Sequence, residues 1–256
     1  HVSKCLIPIP PLPEQKKIAD IISGIDEVIY KINLEITKIQ NLKKAVINNL
    51  FHKGFNQNNM SKDILKDWNI FRLGQICQFT QGVQIPLDQT IRKEKPGFKR
   101  YLYISDFLSD KKKLFVENKF PKKIITTKDL VMANTGHTAG TIFRGKEGVL
   151  SNNAFKISVP STVNSEYLYY YLSTDQYWLE VRRLFNTAGQ PHVGHGNIAS
   201  IKFLCPPLED QEKIVSIINS MELNIMKKNQ KVFSLISLKK SVMQDLFTGR
   251  KRIKVY

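Results

Sequence analysis

Pro10-Pro11-Leu12-Pro13-Glu14-Gln15-Lys16-Lys17-Ile18 returns 196 residues later as Pro206-Pro207-Leu208-Glu209-Asp210-Gln211-Glu212-Lys213-Ile214. The register holds far beyond the motif. Ile21/Ile217, Ile22/Ile218, Lys31/Lys227, Leu42/Leu238, Lys43/Lys239, Lys44/Lys240, Val46/Val242, Leu50/Leu246 and Phe51/Phe247 all match. One long element is used twice, with a different kind of sequence between the copies, and that layout constrains the chain more than any single residue does.

Each copy reads as a long helix. In the first, Ile18, Ile25, Ile32, Ile39 and Val46 are spaced by sevens, with apolar companions three or four residues on. That is a heptad-like seam. The second copy carries Ile214, Met221, Leu235 and Val242 on the corresponding stripe. Prolines ahead of each copy supply the start, and Gly54 and Gly249 are the expected stops. A helix of about 38 residues is about 57 Å long, and a seam of that length needs a partner. The first helix runs into the middle of the chain and the second leaves it. A domain of this size has a radius of gyration of only about 15 Å, so both connected ends are expected near it, with the helices antiparallel. Ile18 is then expected toward the Val242 end, and Val46 near Ile214.

The middle reads differently. Tyr101–Ile104, Leu130–Ala133, Gly140–Phe143 and Ala154–Val159 are short β-prone runs between Gly, Asn, Asp and Pro turns. One helix fits Ser165 to Phe185. The fold class is therefore α+β: one globular mixed α/β domain attached to a long antiparallel two-helix, coiled-coil-like rod. The polar loops carry Gln81, Gln84, Thr135, His137, Thr138, Asn152, Asn153, Gln190 and His192. Asn and Gln can pair bidentately with adenine, and Arg and Lys with guanine, although each loop is equally a plain turn. Lys111, Lys112, Lys113, Arg144, Arg182 and Arg183 are candidates for phosphate or base contact.

Composition points the same way. The 256 residues carry 39 Lys+Arg against 22 Asp+Glu, a net charge of +17, which favours a polyanionic partner. No apolar run reaches the ~18 residues of a membrane span. Three distant cysteines, Cys5, Cys77 and Cys205, suggest neither a disulfide framework nor a zinc site, and a cytoplasmic protein with reduced thiols is expected. Residue 1 is His and a repeat unit begins almost at once, so a fragment of something longer is expected.

The Pro-Pro-Leu-x-x-Gln start, the isoleucine-rich helix and the ending Leu42-Lys43-Lys44 through Leu50-Phe51 resemble the spacer helices of type I restriction–modification specificity subunits. The centre resembles a target recognition domain of that family, in Trp68 to Gly74, Gln81-Gly82, Asp129 to Gly136 and Gly189 to Val193. The resemblance implies spacer helix 1 over 1–54, a DNA-binding recognition domain over 55–204 and spacer helix 2 over 205–256. It implies a non-catalytic reader of double-stranded DNA that directs separate methyltransferase and restriction/translocase subunits to a bipartite target, with no cofactor of its own. The family alternates two recognition domains with two helices. A second recognition domain is therefore expected, either ahead of this stretch or from a homodimer.

Two other readings stay open: a nuclease or modification enzyme with a divergent site at Asp110, Glu117 and Lys119, and a coiled-coil scaffold whose central domain binds protein. Gly140 to Lys146 has the spacing of a phosphate-binding loop, but Glu147 stands where Ser or Thr is needed for magnesium. No Asn-Pro-Pro-Tyr or Asp-Pro-Pro-Tyr exists to support amino-methyl transfer. His192 and His195 alone make a weak metal pair, read as loop residues.

Overall fold

The computed structural model describes residues 9–55, 67–111, 113–185 and 191–254. In chain order these form α1 (Leu12–Phe55), β1 (Asn69–Arg72), α2 (Leu73–Ile76), β2 (Gln78–Gln81), β3 (Phe98–Leu102), α3 (Ile104–Leu108), β4 (Leu114–Glu117) and β5 (Ile124–Ile125). Next come β6 (Leu130–Ala133), β7 (Ile142–Phe143), β8 (Gly148–Leu150), β9 (Ala154–Ser158), α4 (Ser165–Tyr171), α5 (Asp175–Arg183), α6 (His195–Ala199), β10 (Lys202–Cys205) and α7 (Leu208–Phe247). None of these helices is long and apolar enough to cross a membrane. Two compact units result. Their divisions fall inside the long helices, after Ala45 and after Ser216.

The first unit pairs most of α1 with most of α7. Ile18, Ile32 and Ile36 are buried, and Ile25 and Ile39 half-buried, along one stripe of α1. Met221, Ile225, Val232, Leu235 and Val242 are half-buried along α7. Each fully buried isoleucine stabilises the pair by about 1.5–3 kcal/mol. Ion pairs fix the direction. Lys239 meets Asp26 at 2.6 Å and Lys43 meets Glu222 at 3.0 Å, with Lys228 on Glu35 between them. As the number rises along α1 it falls along α7, so the helices are antiparallel. Leu246 and Phe247 share a hollow of about 520 Å³ with Ile18 and Ile22. Lys228 and Lys239 occupy stripe positions of α7, as Lys43 does in α1, so the seam mixes charge with isoleucine. Gly249 takes φ 71° and its amide donates to the Leu246 carbonyl at 3.3 Å, ending α7. Beyond it the chain turns back. The carboxylate of Glu14 accepts from Arg252 Nε at 2.9 Å, Arg252 Nη2 at 2.7 Å and the Ile253 amide at 3.0 Å.

Gly54 is not a stop: it keeps helical backbone and α1 continues to Phe55. A glycine ends a helix by turning left-handed, and one that stays helical costs only about 1 kcal/mol.

The second unit is built from two four-stranded sheets, ordered β2-β9-β6-β7 and β4-β3-β8-β5. Leu102, Ile125 and Leu150 of the second sheet pack with Val131, Ala133 and Ala154 of the first, which puts the core between the two faces. A separate antiparallel pair joins β1 to β10, with Asn69 opposite Cys205. Ser165 to Phe185 is two helices, not one. Thr174 breaks it: its hydroxyl donates to the Tyr171 carbonyl at 2.8 Å and accepts the Tyr177 amide at 3.1 Å, a local bond that outcompetes the continuing helix and caps α5. Tyr167 and Tyr171 of α4 pack edge-on or tilted against Phe203 of β10 and against Phe51, in the last turns of α1.

The repeated motif keeps one side-chain bond in both copies. Gln15 Nε2 donates to the Pro10 carbonyl at 2.7 Å, and Gln211 Nε2 to the Pro206 carbonyl at 2.8 Å. Only Gln211 is enclosed, where its Oε1 also accepts the Asn164 amide at 2.8 Å.

Candidate nucleic-acid interface

Strand direction gathers the polar loops. β2 and β6 are both antiparallel to β9, with Gln81 opposite Phe155 and Ala133 opposite Ala154. The end of β2, the end of β6 and the start of β9 therefore lie at one end of the first sheet. The loops Gln81–Gln84, Asn134–Thr138 and Ser151–Asn153 emerge together there. A fourth joins them: the Gly136 amide donates to the Pro191 carbonyl and the Val193 amide to the Asn134 carbonyl, both at 2.9 Å, and Thr135 bridges His192.

The loops are tied tightly. Gly82 lies against the Ser151 peptide so closely that a Cβ there would sit 2.0 Å from the Ser151 oxygen, an approach open only to glycine. Gln81 Nε2 donates to the carbonyls of Asn152 at 2.6 Å and Ala154 at 3.1 Å. Lys123 Nζ caps the Gln81 carbonyl at 2.8 Å. Asn152 Nδ2 reaches outward to Gln84 Oε1 at 3.2 Å. Gln84, His137, Asn152 and His192 are exposed, whereas Gln81, Thr135, Thr138 and Asn153 are half-buried. An edge of exposed amides and imidazoles offers donors and acceptors that match base edges.

The remaining candidates lie on other segments. Arg144 follows β7 and so sits at the opposite end of the hairpin from Thr135. Its guanidinium meets Glu166 at 2.7 Å and lies 4.3 Å from the Tyr169 ring centre. Lys111 and Lys113 are exposed ahead of β4, where Lys113 meets Asp110 at 3.5 Å. Arg182 and Arg183 are exposed in the last turn of α5, where a cation suits the helix C-terminus. Lys112 and Gln190 lie outside the described residues, as do Cys5 and Gly189.

The two carboxylates of the nuclease reading, Asp110 and Glu117, do not come together. Asp110 precedes β4 and Glu117 ends it. Asp110 meets Arg100 at 2.9 Å, Lys146 at 3.4 Å and Lys113. Desolvation works to raise its pKa, but Lys146, Arg100 and Lys113 outweigh it and hold the carboxyl below the ordinary aspartate value. Glu117 is taken by Lys119. Gly140 to Lys146 forms β7 and a turn into β8, with no helix after it. His195 packs beside Phe79 and Phe155. Among the described residues no three His, Cys, Asp or Glu side chains are grouped to hold a metal ion.

Two participants have no sequence signature at this edge, Lys123 and Gly82 as a close-contact glycine, and Asn134 shows in the sequence only as a polar residue of its loop. Only the pairing of β6 with β9 brings Asn134 beside Asn153.

Residues 65–232 match the type I restriction modification DNA specificity domain. The chain belongs to that family. Among curated relatives it is 27% identical to the type I restriction enzyme MjaVIII specificity subunit of Methanocaldococcus jannaschii, over 99% of this chain and 65% of the relative. It is 28% identical to the putative MjaX specificity subunit of the same organism, over 97% of this chain and 60% of the relative. The chain thus spans less than two thirds of either. The fold is shared with the HsdS subunit from Thermoanaerobacter tengcongensis, at TM-score 0.64 and 17% identity, over 96% of this chain and 61% of that one. It is also shared with the S subunit of M. genitalium, at TM-score 0.59 and 16% identity, over 92% and 61%.

Proposed function

We propose that this chain is the DNA-reading part of a type I restriction–modification enzyme and has no catalytic site of its own. The sheet-end loops around Gln84, Asn152, Thr135, His137 and His192 read base edges of one half of a bipartite duplex target. The helix pair holds methyltransferase and restriction/translocase subunits and sets the distance to the other half-site. A second recognition domain, from the same polypeptide or from a second copy, reads that half-site. The protein works in the cytoplasm, where its DNA is. The observation that carries this reading is the convergence of four amide- and imidazole-bearing loops on one sheet end, in a chain of net charge +17. The relatives' own names, as specificity subunits, support it. The nuclease reading is disfavoured by the pairing of Asp110 with three cations.

Selection from a pool of random duplexes tests the proposal. The purified chain should enrich one short sequence, and its affinity for unrelated duplex should fall steeply with salt as counterions are released. Alanine at Lys111, Lys113, Arg182 or Arg183 should flatten the salt slope by about one unit for each true phosphate contact. Enrichment of no sequence, or metal-dependent cleavage by the chain alone, would defeat the reading.

A further inference from the structure

We infer that Asn134 is a positioning residue of the reading edge, acting through the main-chain carbonyl of Asn152. The inference rests on the proposal that these loops face DNA. Asn134 follows β6 and is only 6% exposed. Its amide donates to the Asn153 carbonyl at 3.0 Å, and its carbonyl accepts from Val193. It therefore joins three of the four loops through its backbone alone. Its side chain adds something different. Nδ2 donates at 3.3 Å to the Asn152 carbonyl, the oxygen that Gln81 Nε2 reaches from the other side. Two inward amides from flanking loops thus hold one peptide, and that peptide carries the outward Asn152–Gln84 amide pair.

The other half of the Asn134 side chain shows why the residue is more than packing. Oδ1 is shut off from solvent and has no hydrogen-bond partner among the described residues. A buried acceptor without a donor lowers stability. Leucine has the same branched outline with a bulkier end, and would lose only the one side-chain bond while removing the unpaired oxygen. The asparagine at this position supplies one thing leucine cannot, the donor that orients Asn152.

The test is a double-substitution cycle on the full chain, read by two measurements. The first is the urea midpoint. The second is the affinity ratio between the duplex selected from the random pool and a scrambled duplex of equal length. Asn134→Leu is expected to leave the midpoint unchanged or raise it while cutting the ratio about tenfold, the scale of one lost base-reading pair. Asn152→Ala, at an exposed position, should cut the ratio similarly. The double variant should be no worse than Asn152→Ala alone, because both act through one side chain. A lower midpoint with an intact ratio would make Asn134 a packing residue and overturn the inference, as would losses that multiply. If Asn134→Leu does not fold, Asn134→Ser goes through the same cycle with the same criteria. A wild-type chain that selects no sequence brings down the DNA-reading proposal and this inference with it. One that selects a sequence still discriminated after Asn134→Leu overturns this inference alone.

Discussion

Phe51 and Phe247 occupy the same position in the two copies of the repeat, yet truncating them should have very different effects. Phe51 is 1% exposed, with its ring centre 5.1 Å from that of Tyr167 and 5.3 Å from that of Tyr171. Phe51→Ala leaves a cavity walled by two rigid tyrosines, whose hydroxyls are held by the carbonyls of Leu204 and Lys202 and which cannot collapse inward. A buried Phe→Ala change costs about 3–5 kcal/mol. Two lost aromatic pairs, at about 0.5–1.5 kcal/mol each, place this site toward the top of that range. Phe247 is 50% exposed on the rim of the Ile18–Ile22 hollow. Its truncation loses about half of a phenylalanine's burial, about 1 kcal/mol, and leaves a dent open to water. Urea unfolding of the full chain, followed by near-ultraviolet circular dichroism, reports on the tyrosine-rich unit that contains Phe51. With a slope of about 2 kcal/mol per molar urea, Phe51→Ala should lower the midpoint by about 2 M, and Phe247→Ala should hardly move this signal. Equal shifts would refute the reasoning, since they would mean that the two copies are buried alike.

Three further outcomes are expected. Ile32→Asp places a charge at a 7%-exposed seam position and should cost about 3–5 kcal/mol, seen as loss of helical circular dichroism at lower denaturant. The Glu14 carboxyl is held below its ordinary pKa, first by the Arg252 hydrogen bond and then by the Ile253 amide. Its folded pKa is depressed, so its stabilisation is present above the ordinary glutamate range and fades as pH falls through and below that range. Glu14→Gln should flatten this acid limb in a melting-temperature profile, and an identical limb would remove the Arg252 clasp from the account. Gly82→Ala forces the Gln81–Gln84 and Ser151–Asn153 loops apart; amide exchange at Val83, whose N–H is bonded to the Leu150 carbonyl at 2.9 Å, should quicken, and unchanged exchange would show the approach to be soft.

The long helices were legible because their signal is redundant: sevenfold spacing, a duplicated start motif, and dozens of residues over which to average. β6 and β9 were legible for a simpler reason, as Leu130–Ala133 and Ala154–Ser158 are compact β-prone runs between turn residues. The break at Thr174 was not, because Ser173-Thr174-Asp175 interrupts the helix through two bonds of one hydroxyl, to the Tyr171 carbonyl and from the Tyr177 amide, while apolar residues at helical spacing continue on both sides. Gly54 misled because glycine permits a left-handed turn without requiring one. At the candidate site, the reading picked out by residue type the loops that the fold gathers at one sheet end, but not the side chains' directions. Gln81 turns inward to brace the Asn152 peptide, while Gln84, three residues on, faces out. That difference arises from strand pairing between segments more than 70 residues apart, which no local pattern encodes. Arg144 has the chemistry of a phosphate ligand, but the β7 hairpin carries it to the far end of the strand, against Glu166.

The lysines set among the isoleucines have a consequence for the register of the helix pair. An antiparallel seam made only of isoleucine would tolerate sliding by one heptad, about 10.5 Å, with little loss of contact. Here such a slide would bring Lys228 opposite Val28 or Leu42, Lys239 opposite Ala19 or Asn33, and Lys43 opposite Val215 or Asn229. Glu35, Asp26 and Glu222 would in turn face only apolar side chains: Met221 or Leu235, Val232 or Leu246, and Ile36 or Leu50. Every neighbouring notch is wrong for all three pairs at once, so the two helices behave as a keyed gauge with a single setting.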